Sequence, residues 1–302
     1  MTTSFSRAGV AASLGASALF GGIFVLPSLL RPLDPVQILG YRVVAMIGLL
    51  ALLFSARRMW GEFPLLLRRL RERPWLVGVL AADAAQIGVQ MWLFGWAPQT
   101  GHGLEVSLGY LLLPLTMVVV GVVVHRERLS PWRTAAVLCA CAGAVAAVVL
   151  SGGLGWATVL VALGMPLYLV TRRAFALDSF AAQLLELVLL LPFAAVVLVT
   201  RPSLELVAGS PRLAGALLLL GVLSAGGFTL YLTAGRLLPF TVFGVLSYVE
   251  PVLLVVVALA VLGEPWRLTD VFTYAPICVG LALLAVDAHL SRVRHRDLTA
   301  VA

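Results

Sequence analysis

Apolar residues fall in long blocks separated by short polar or proline-bearing breaks, from one end of the chain to the other. Ten blocks come close to the ~20 residues needed to cross about 30 Å of hydrocarbon. They lie at 8–30, 35–56, 74–97, 104–124, 132–150, 154–171, 180–199, 212–235, 239–262 and 269–289, and the sixth is the shortest. The breaks carry Arg31-Pro32, Pro35, Arg73-Pro74, Pro131, Gly152-Gly153, Arg201-Pro202, Pro211 and Pro239, all signals that end helices. Lipid cannot satisfy loose backbone groups, so a span is a helix or part of a closed barrel, and the ~10-residue alternating strands of a barrel are missing. The pattern therefore predicts an all-α polytopic membrane protein with ten transmembrane helices.

A second pattern overlies the first. Pro114, Glu127 and Gly143 recur as Pro251, Glu264 and Gly280 at a constant offset of 137 residues, and Val118–Val120 answers Val255–Val257. Valine matches carry little weight in apolar sequence; proline, glutamate and glycine at shared spacing carry more. The offset takes the fourth and fifth spans onto the ninth and tenth. Five spans separate the copies, and an odd number makes them enter the membrane from opposite sides. The chain is thus expected to hold two inverted five-helix repeats, 1–150 and 151–302, the second ending in a short basic tail. Inverted repeats are the architecture of alternating-access transporters. Pro114 and Pro251 are candidate hinges. Ser107, Tyr110 and Pro114 share a helix face, which the offset matches to Gly244, Ser247 and Pro251. The two proline helices are expected to face each other. Glu127 and Glu264 read as organisers of helix ends rather than chemical groups.

The composition agrees with a bilayer as solvent: 61% of residues are hydrophobic and 12% charged, against about 25% charged in soluble domains. The net charge of +7 comes from arginine alone. The arginines cluster in short loops, 16 on one side of the ten-span topology and 4 on the other. That is a positive-inside pattern, not a nucleic-acid footprint, and it expects both termini in the cytoplasm of an inner-membrane protein. Six of those arginines lie between Arg57 and Arg73 with Trp60, Phe63 and Leu65–Leu67. That stretch is either an amphipathic segment on the anionic inner leaflet or a solvated loop. Cys139, Cys141 and Cys278 sit inside apolar blocks without metal spacing, so no metal and no cofactor is expected. Ala16-Ser17-Ala18 resembles a signal-peptidase site, but the apolar run continues to Leu30, which favours a retained span.

Polar groups inside the spans are the candidate chemistry, since a charge at the bilayer centre costs about 2.5–3.5 kcal/mol on insertion scales. Asp83 lies about 14 Å into the third span, with Gln86 and Gln90 on the same face. The stripe lines a cavity or joins helices. Glu250 lies near mid-membrane in the ninth span, with Ser247 one turn before and Pro251 after it; it is a proton carrier or a neutral structural glutamate. Glu105 is a site residue or a first-turn complement to the helix dipole. Arg42 and Glu186 are embedded in repeat-related spans and either pair with each other or act separately, with Arg42 a candidate anion contact. Trp92, Phe94 and Trp96 form an interfacial belt or a pocket wall. His102 reads as a loop residue.

These residues resemble a known family. Glu105 to Tyr110 with Pro114 in LEVSLGYLLLPL, followed by His125-Arg126-Glu127-Arg128, is similar to the signature of the RarD-type branch of the EamA, or drug/metabolite transporter, superfamily. ILGYRVV around Arg42 and QMWLFGWA around Trp92 match the same branch. Glu250-Pro251 with Glu264-Pro265 resembles the EamA repeat motif. The resemblance spans the chain and implies ten helices in two inverted repeats, an inner-membrane location and secondary transport of small metabolites or drugs. Arg42, Trp92, Glu105, Ser107 and Tyr110 match as positions without assigned roles. Glu250 is a departure, since this branch is expected to carry a small residue before the ninth-span proline.

The expected function is therefore a permease or exporter of a small amphipathic metabolite or drug, with protons as an open coupling partner. Arg42, Asp83, Gln86, Gln90, Trp92, Glu105, Ser107, Tyr110, Ser247 and Glu250 are its candidate substrate or proton contacts. Membrane lipids and a homodimer complete the expected partners. The rival classes are a non-transporting scaffold or regulatory subunit and an intramembrane lipid-modifying enzyme. The latter usually shows clustered Asp or His motifs, and no D-x-x-x-D or H-x-x-x-H occurs.

Overall fold

The computed structural model describes residues 6–100, 102–150, 152–201, 203–253 and 270–300. All the regular structure among them is helical. The long helices are α1 (Arg7–Leu29), α2 (Pro35–Ala56), α4 (Trp75–Thr100), α5 (Gly103–Val123), α6 (Pro131–Leu150), α7 (Trp156–Ala174), α8 (Phe180–Thr200), α10 (Pro211–Leu237) and α12 (Asp270–Ala300). Short elements are α3 (Glu62–Glu72), α9 (Leu204–Ala208) and α11 (Phe240–Ser247). Helical backbone resumes over 249–253. Among the described residues, six helices are long and apolar enough to cross a bilayer: α2, α4, α5, α6, α8 and α10. The chain is an all-α integral membrane protein. The second half of the ninth predicted span, with Val255–Val257 and Glu264, lies outside the described residues.

Two differences from the sequence reading matter. The sixth block runs on to Ala174, because helical hydrogen bonding continues through Arg172 and Arg173. Both arginines therefore belong to a helix, not to a loop. The last helix likewise continues to Ala300, so the basic terminal stretch is helical.

The segment after α2 is structured as well. A 3-10 turn at Met59–Gly61 leads into α3. Phe54, Trp60 and Phe63 pack their rings 5.5 Å apart. Arg69 donates to the carbonyl oxygens of Phe175 (2.5 Å) and Ala176 (2.6 Å), and Glu62 accepts from the Ala181 amide at 3.3 Å. Leu65, Leu67 and Trp60 remain exposed beside exposed Arg68 and Arg71. Of the two readings of this segment, the fold has the amphipathic helix.

The start of α2 shows why the chain turns where it does. Asp34 accepts from the amides of Val36 (2.8 Å) and Gln37 (2.9 Å), while Gln37 reaches back to the Asp34 amide at 2.9 Å, a capping box with Pro35 at the first helical position. Arg201 adds an ion pair at 2.9 Å. Burial pushes the Asp34 carboxyl up, but the two amides and Arg201 outweigh it and hold it below its usual 3.8. A depressed carboxylate stabilises the fold above its unfolded pKa and loses that contribution as pH falls through the folded value. Acid titration of thermal stability is thus expected to show a component that Asp34→Asn removes.

By packing, the chain divides into two compact units. One comprises residues 22–106 and 167–229. Its centre is α2 against α8, with α4 packed on both. The other comprises residues 1–21, 107–166 and 230–302. Its centre is α6 against α12. Leu108, Leu111, Ala140, Ala147, Tyr248 and Ile277 form one apolar cluster there, and Val118, Ala136, Val245 and Leu284 another. Two glycines bring α6 and α12 close together. A Cβ on Gly143 would lie 2.4 Å from the Thr273 carbonyl oxygen, and one on Gly280 would lie 2.8 Å from that of Ala136. Asp287 ties the helices at one end, pairing with Arg133 at 2.8 Å and accepting from the Ser130 hydroxyl at 2.6 Å.

Candidate functional site

The strongest concentration of buried charge lies in the unit of residues 22–106 and 167–229. Helices α4, α7 and α8 contribute to it. Asp83, Arg172, Glu186, Tyr168 and Gln183 are each at most 3% exposed. Arg172, in the last turn of α7, forms an ion pair with Glu186 Oε1 and donates to the Ser179 carbonyl at 3.0 Å. The Tyr168 hydroxyl donates to Glu186 Oε2 at 2.6 Å and receives Arg172 Nη1 at 3.1 Å. Both Glu186 oxygens are thereby satisfied, which is the condition for a buried carboxylate to persist. The Thr171 hydroxyl lies 2.6 Å from Asp83 Oδ1. It also lies 2.9 Å from the Tyr168 carbonyl oxygen. Asp83 Oδ2 and Gln183 Oε1 are buried with no hydrogen-bond partner among the described residues.

The embedded charges thus sort differently from one open expectation. Glu186 takes Arg172 as its cation rather than Arg42. Arg42 is buried, donating to Ser224 Oγ at 2.7 Å and toward the Met91 carbonyl at 3.5 Å. Along α4, Asp83 and Gln90 are buried and Gln86 is half-buried, as the one-face stripe expects. Trp92 stacks on Trp96 (5.1 Å), and Trp96 on His102 (4.4 Å). Glu105 sits half-buried in the first turn of α5.

The remaining candidates belong to the other unit. Tyr231, on α10, is buried and has Glu250 and Tyr110 as electrostatic neighbours. Its hydroxyl points to Met117 Sδ at 3.6 Å, and its ring tilts against Phe243 at 4.8 Å. Tyr110 and Glu250 are half-buried. Ser247 is buried, and its hydroxyl donates to the Phe243 carbonyl of its own helix at 2.9 Å, which leaves that hydrogen for no substrate. Ser107 is exposed. The proline helices meet as their shared face predicts: a Cβ on Gly244 would lie 2.6 Å from the Pro114 carbonyl oxygen, and Pro251 is buried.

Glu127 organises a helix end, as its spacing suggests. Its carboxylate accepts from the Phe240 amide (2.7 Å), the Thr241 amide (2.9 Å) and the Thr241 hydroxyl (2.7 Å), capping α11 from outside that helix. His125 packs its ring 4.6 Å from that of Phe240. Glu127→Ala removes three bonds to an ionised acceptor at once. Such bonds are worth about 1.5–3 kcal/mol each to a charged group, less what exposed amides regain from water. The expected result is a fall in thermal stability several times larger than that of Arg128→Ala, whose side chain is exposed. Unfolding followed in detergent checks it.

Sequence reasoning missed Arg172, Tyr168 and Thr171. The available signal was topological. Arg172 directly follows the sixth block and Glu186 lies in the second turn of the seventh across a short break, so both lie near the same face.

The described residues form an all-helical membrane fold with ionisable groups buried between its helices, the class of a polytopic membrane protein. Relatives narrow this. The chain belongs to the RarD-type family of drug/metabolite transporters: it is 40% identical over 284 residues to the chloramphenicol-sensitive protein RarD of Pseudomonas aeruginosa, covering 94% of this chain and 95% of that one. An uncharacterized transporter of Pasteurella multocida is 35% identical over 85% of this chain and 88% of its own length. The protein RarD of Escherichia coli is 28% identical over 94% and 95%. No family model matches. A crystal structure of a protein 20% identical in sequence superposes with a TM-score of 0.69 over 94% of this chain and 99% of its own, which shows a shared fold.

Proposed function

We propose that this transporter moves a small amphipathic metabolite or drug across the inner membrane by alternating access between two inverted five-helix repeats, as an exporter, with proton coupling. The observation that carries the reading is the α6–α12 contact. Gly143 meets Thr273 and Gly280 meets Ala136, and both pairs of equivalents are 137 residues apart. Reciprocal contacts of this kind are what a two-fold axis produces. The pairing of α2 with α8, the second helix of each proposed repeat, follows the same logic. Both termini lie in the cytoplasm on this reading, from the arginine bias.

The candidate carboxylates for substrate or protons are Asp83, Glu105 and Glu250, with Gln86, Gln90 and Tyr110 supplying neutral hydrogen bonds and Arg42 the anion contact. The test is uptake and efflux of a pooled metabolite and antibiotic panel in proteoliposomes, with and without a pH gradient. Substrate-dependent flux separates a carrier from a scaffold. Glu250→Gln is expected to abolish the response to the gradient while leaving downhill flux. Equal gradient-driven flux in Glu250→Gln and the parent protein removes Glu250 from coupling. Labelling that finds residues 126–133 and 264–270 on the same side of the membrane ends the inverted-repeat reading.

A further inference from the structure

The buried cluster of α4, α7 and α8 holds two carboxyl groups, Asp83 and Glu186, and one guanidinium, Arg172. Arg172 is close enough to act electrostatically on both. Arg173, beside Arg172 on α7, and Asp178, in the α7–α8 connection, are both half-buried. The ionisable side chain of α2, Arg42, is engaged by Ser224 and the Met91 carbonyl. From α3, Glu62 accepts from the Ala181 amide and Arg69 donates to the Phe175 and Ala176 carbonyls. From α10 come Phe228, against the Tyr168 ring, and Thr229, 3.4 Å from Gln183. With both carboxyls ionised, Asp83, Glu186 and Arg172 together would carry one net negative charge on side chains at most 3% exposed, a state buried groups avoid by binding a proton.

Hydrogen counting says which carboxyl holds it. Each Glu186 oxygen faces a group that must donate: Arg172 has only donors, and the Tyr168 hydroxyl, with Arg172 donating to its lone pair, points its single hydrogen at Oε2. Glu186 is therefore the ionised member. The Thr171 hydroxyl has one hydrogen for two neighbours. One is the Tyr168 carbonyl oxygen at 2.9 Å, which can only accept; the other is Asp83 Oδ1 at 2.6 Å. Even with that hydrogen given to Asp83 Oδ1, the Asp83 carboxyl has one donor where Glu186 has two. Asp83 Oδ2 is buried and, among the described residues, has no donor to stabilise a carboxylate.

We propose that Asp83 is a resident carboxylic acid at neutral pH, a proton-binding site kept neutral beside the ionised Glu186–Arg172 pair. Releasing the proton to water converts Asp83 to a carboxylate and the cluster from neutral to a single negative charge. Arg172 is then the cation both acids compete for. The location of the proton stands on the geometry above; its use to drive transport rests on the function proposed in the preceding subsection.

Infrared difference spectroscopy of the purified full-length protein in nanodiscs tests it. At neutral pH the parent-minus-Asp83→Asn spectrum is expected to contain the carbonyl stretch of a protonated carboxyl, above the amide I envelope and shifting down in deuterium oxide. The parent-minus-Glu186→Gln spectrum is expected to lack it. Asparagine has nearly the shape of a neutral aspartic acid, so Asp83→Asn is expected to unfold at the parent's temperature. If the band instead disappears with Glu186→Gln, or neither variant removes it, the proposal is overturned. Thr171→Val supplies a variant that keeps both acids: it must move the Asp83 band, and an unmoved band also overturns the assignment. Flux that ignores the pH gradient, with the band intact, ends the coupling reading and leaves the proton where it is placed here.

Discussion

Arg172→Met is expected to destabilise the protein by about 3–5 kcal/mol, the cost of stripping one partner from a buried ion pair. The side chain of Arg172 is 2% exposed and that of Glu186 1% exposed, so water cannot replace the lost cation. The same substitution also removes one of the two donors to the Ser179 carbonyl, leaving it the Gln183 amide at 3.2 Å. Glu186→Leu alone strands the guanidinium instead and is expected to cost a similar amount. The double variant is the decisive arm. Replacing both ions by apolar groups removes the uncompensated charge, and such exchanges are often neutral. Arg172→Met/Glu186→Leu is therefore expected to recover much of the loss, leaving mainly the unbonded Tyr168 hydroxyl. Thermal unfolding of the four proteins in detergent gives the coupling energy directly. Additive losses would show that the pair is not the unit described here.

Gly143→Ala is expected to damage the fold although alanine is the better helix former. In a helix interior alanine gains about 0.8–1.0 kcal/mol over glycine. Against that, the new Cβ would lie 2.4 Å from the Thr273 carbonyl oxygen, a backbone atom that moves only if α12 moves. Overpacking of this sort costs about 1–3 kcal/mol, so the clash wins. Gly280→Ala meets the Ala136 carbonyl oxygen at 2.8 Å and is expected to be milder. The order of the two variants is the sharper part of the prediction. A helix-propensity effect would treat them alike and raise the stability of both. Gly48→Ala, in α2 with nothing within 4 Å of the added methyl, is the control expected to be neutral or stabilising.

The parts of this fold that could be read from the residues are those that repeat or that follow the bilayer. Block lengths locate the ends of most of the long described helices to within a few residues, since each must cross the same hydrocarbon; the last helix, which runs on to Ala300, is the exception. The 137-residue offset singles out Gly143 and Gly280, the two glycines at which the backbones of α6 and α12 come close. The face shared by Ser107, Tyr110 and Pro114 pointed to the meeting of Pro114 with Gly244. What could not be read was which charges pair. Arg172 ends an apolar block and has the same one-dimensional signature as an arginine reaching for headgroups. Only packing of α7 against α8 turns it inward to Glu186. Nor does the sequence show where the Ser247 hydroxyl sends its hydrogen, which goes to the Phe243 carbonyl of its own helix. The stretch between Arg57 and Pro74 left two readings open because amphipathicity over so few residues is weak evidence until Arg69 and Glu62 are seen to fasten α3 to the loop and helix beside it.

That fastening has a practical consequence for anyone handling the protein. Leu65 and Leu67 on α3, and Trp60 in the turn before it, are 73%, 44% and 45% exposed beside exposed Arg68 and Arg71, a composition that suits the zone where acyl chains meet phosphates. A micelle of neutral surfactant supplies the greasy half of that zone and none of its anions. Reconstitution with phosphatidylglycerol or cardiolipin restores both, and because α3 is strapped to the start of α8, next to the buried acids, the headgroups present in a preparation belong among the variables of any transport measurement made with it.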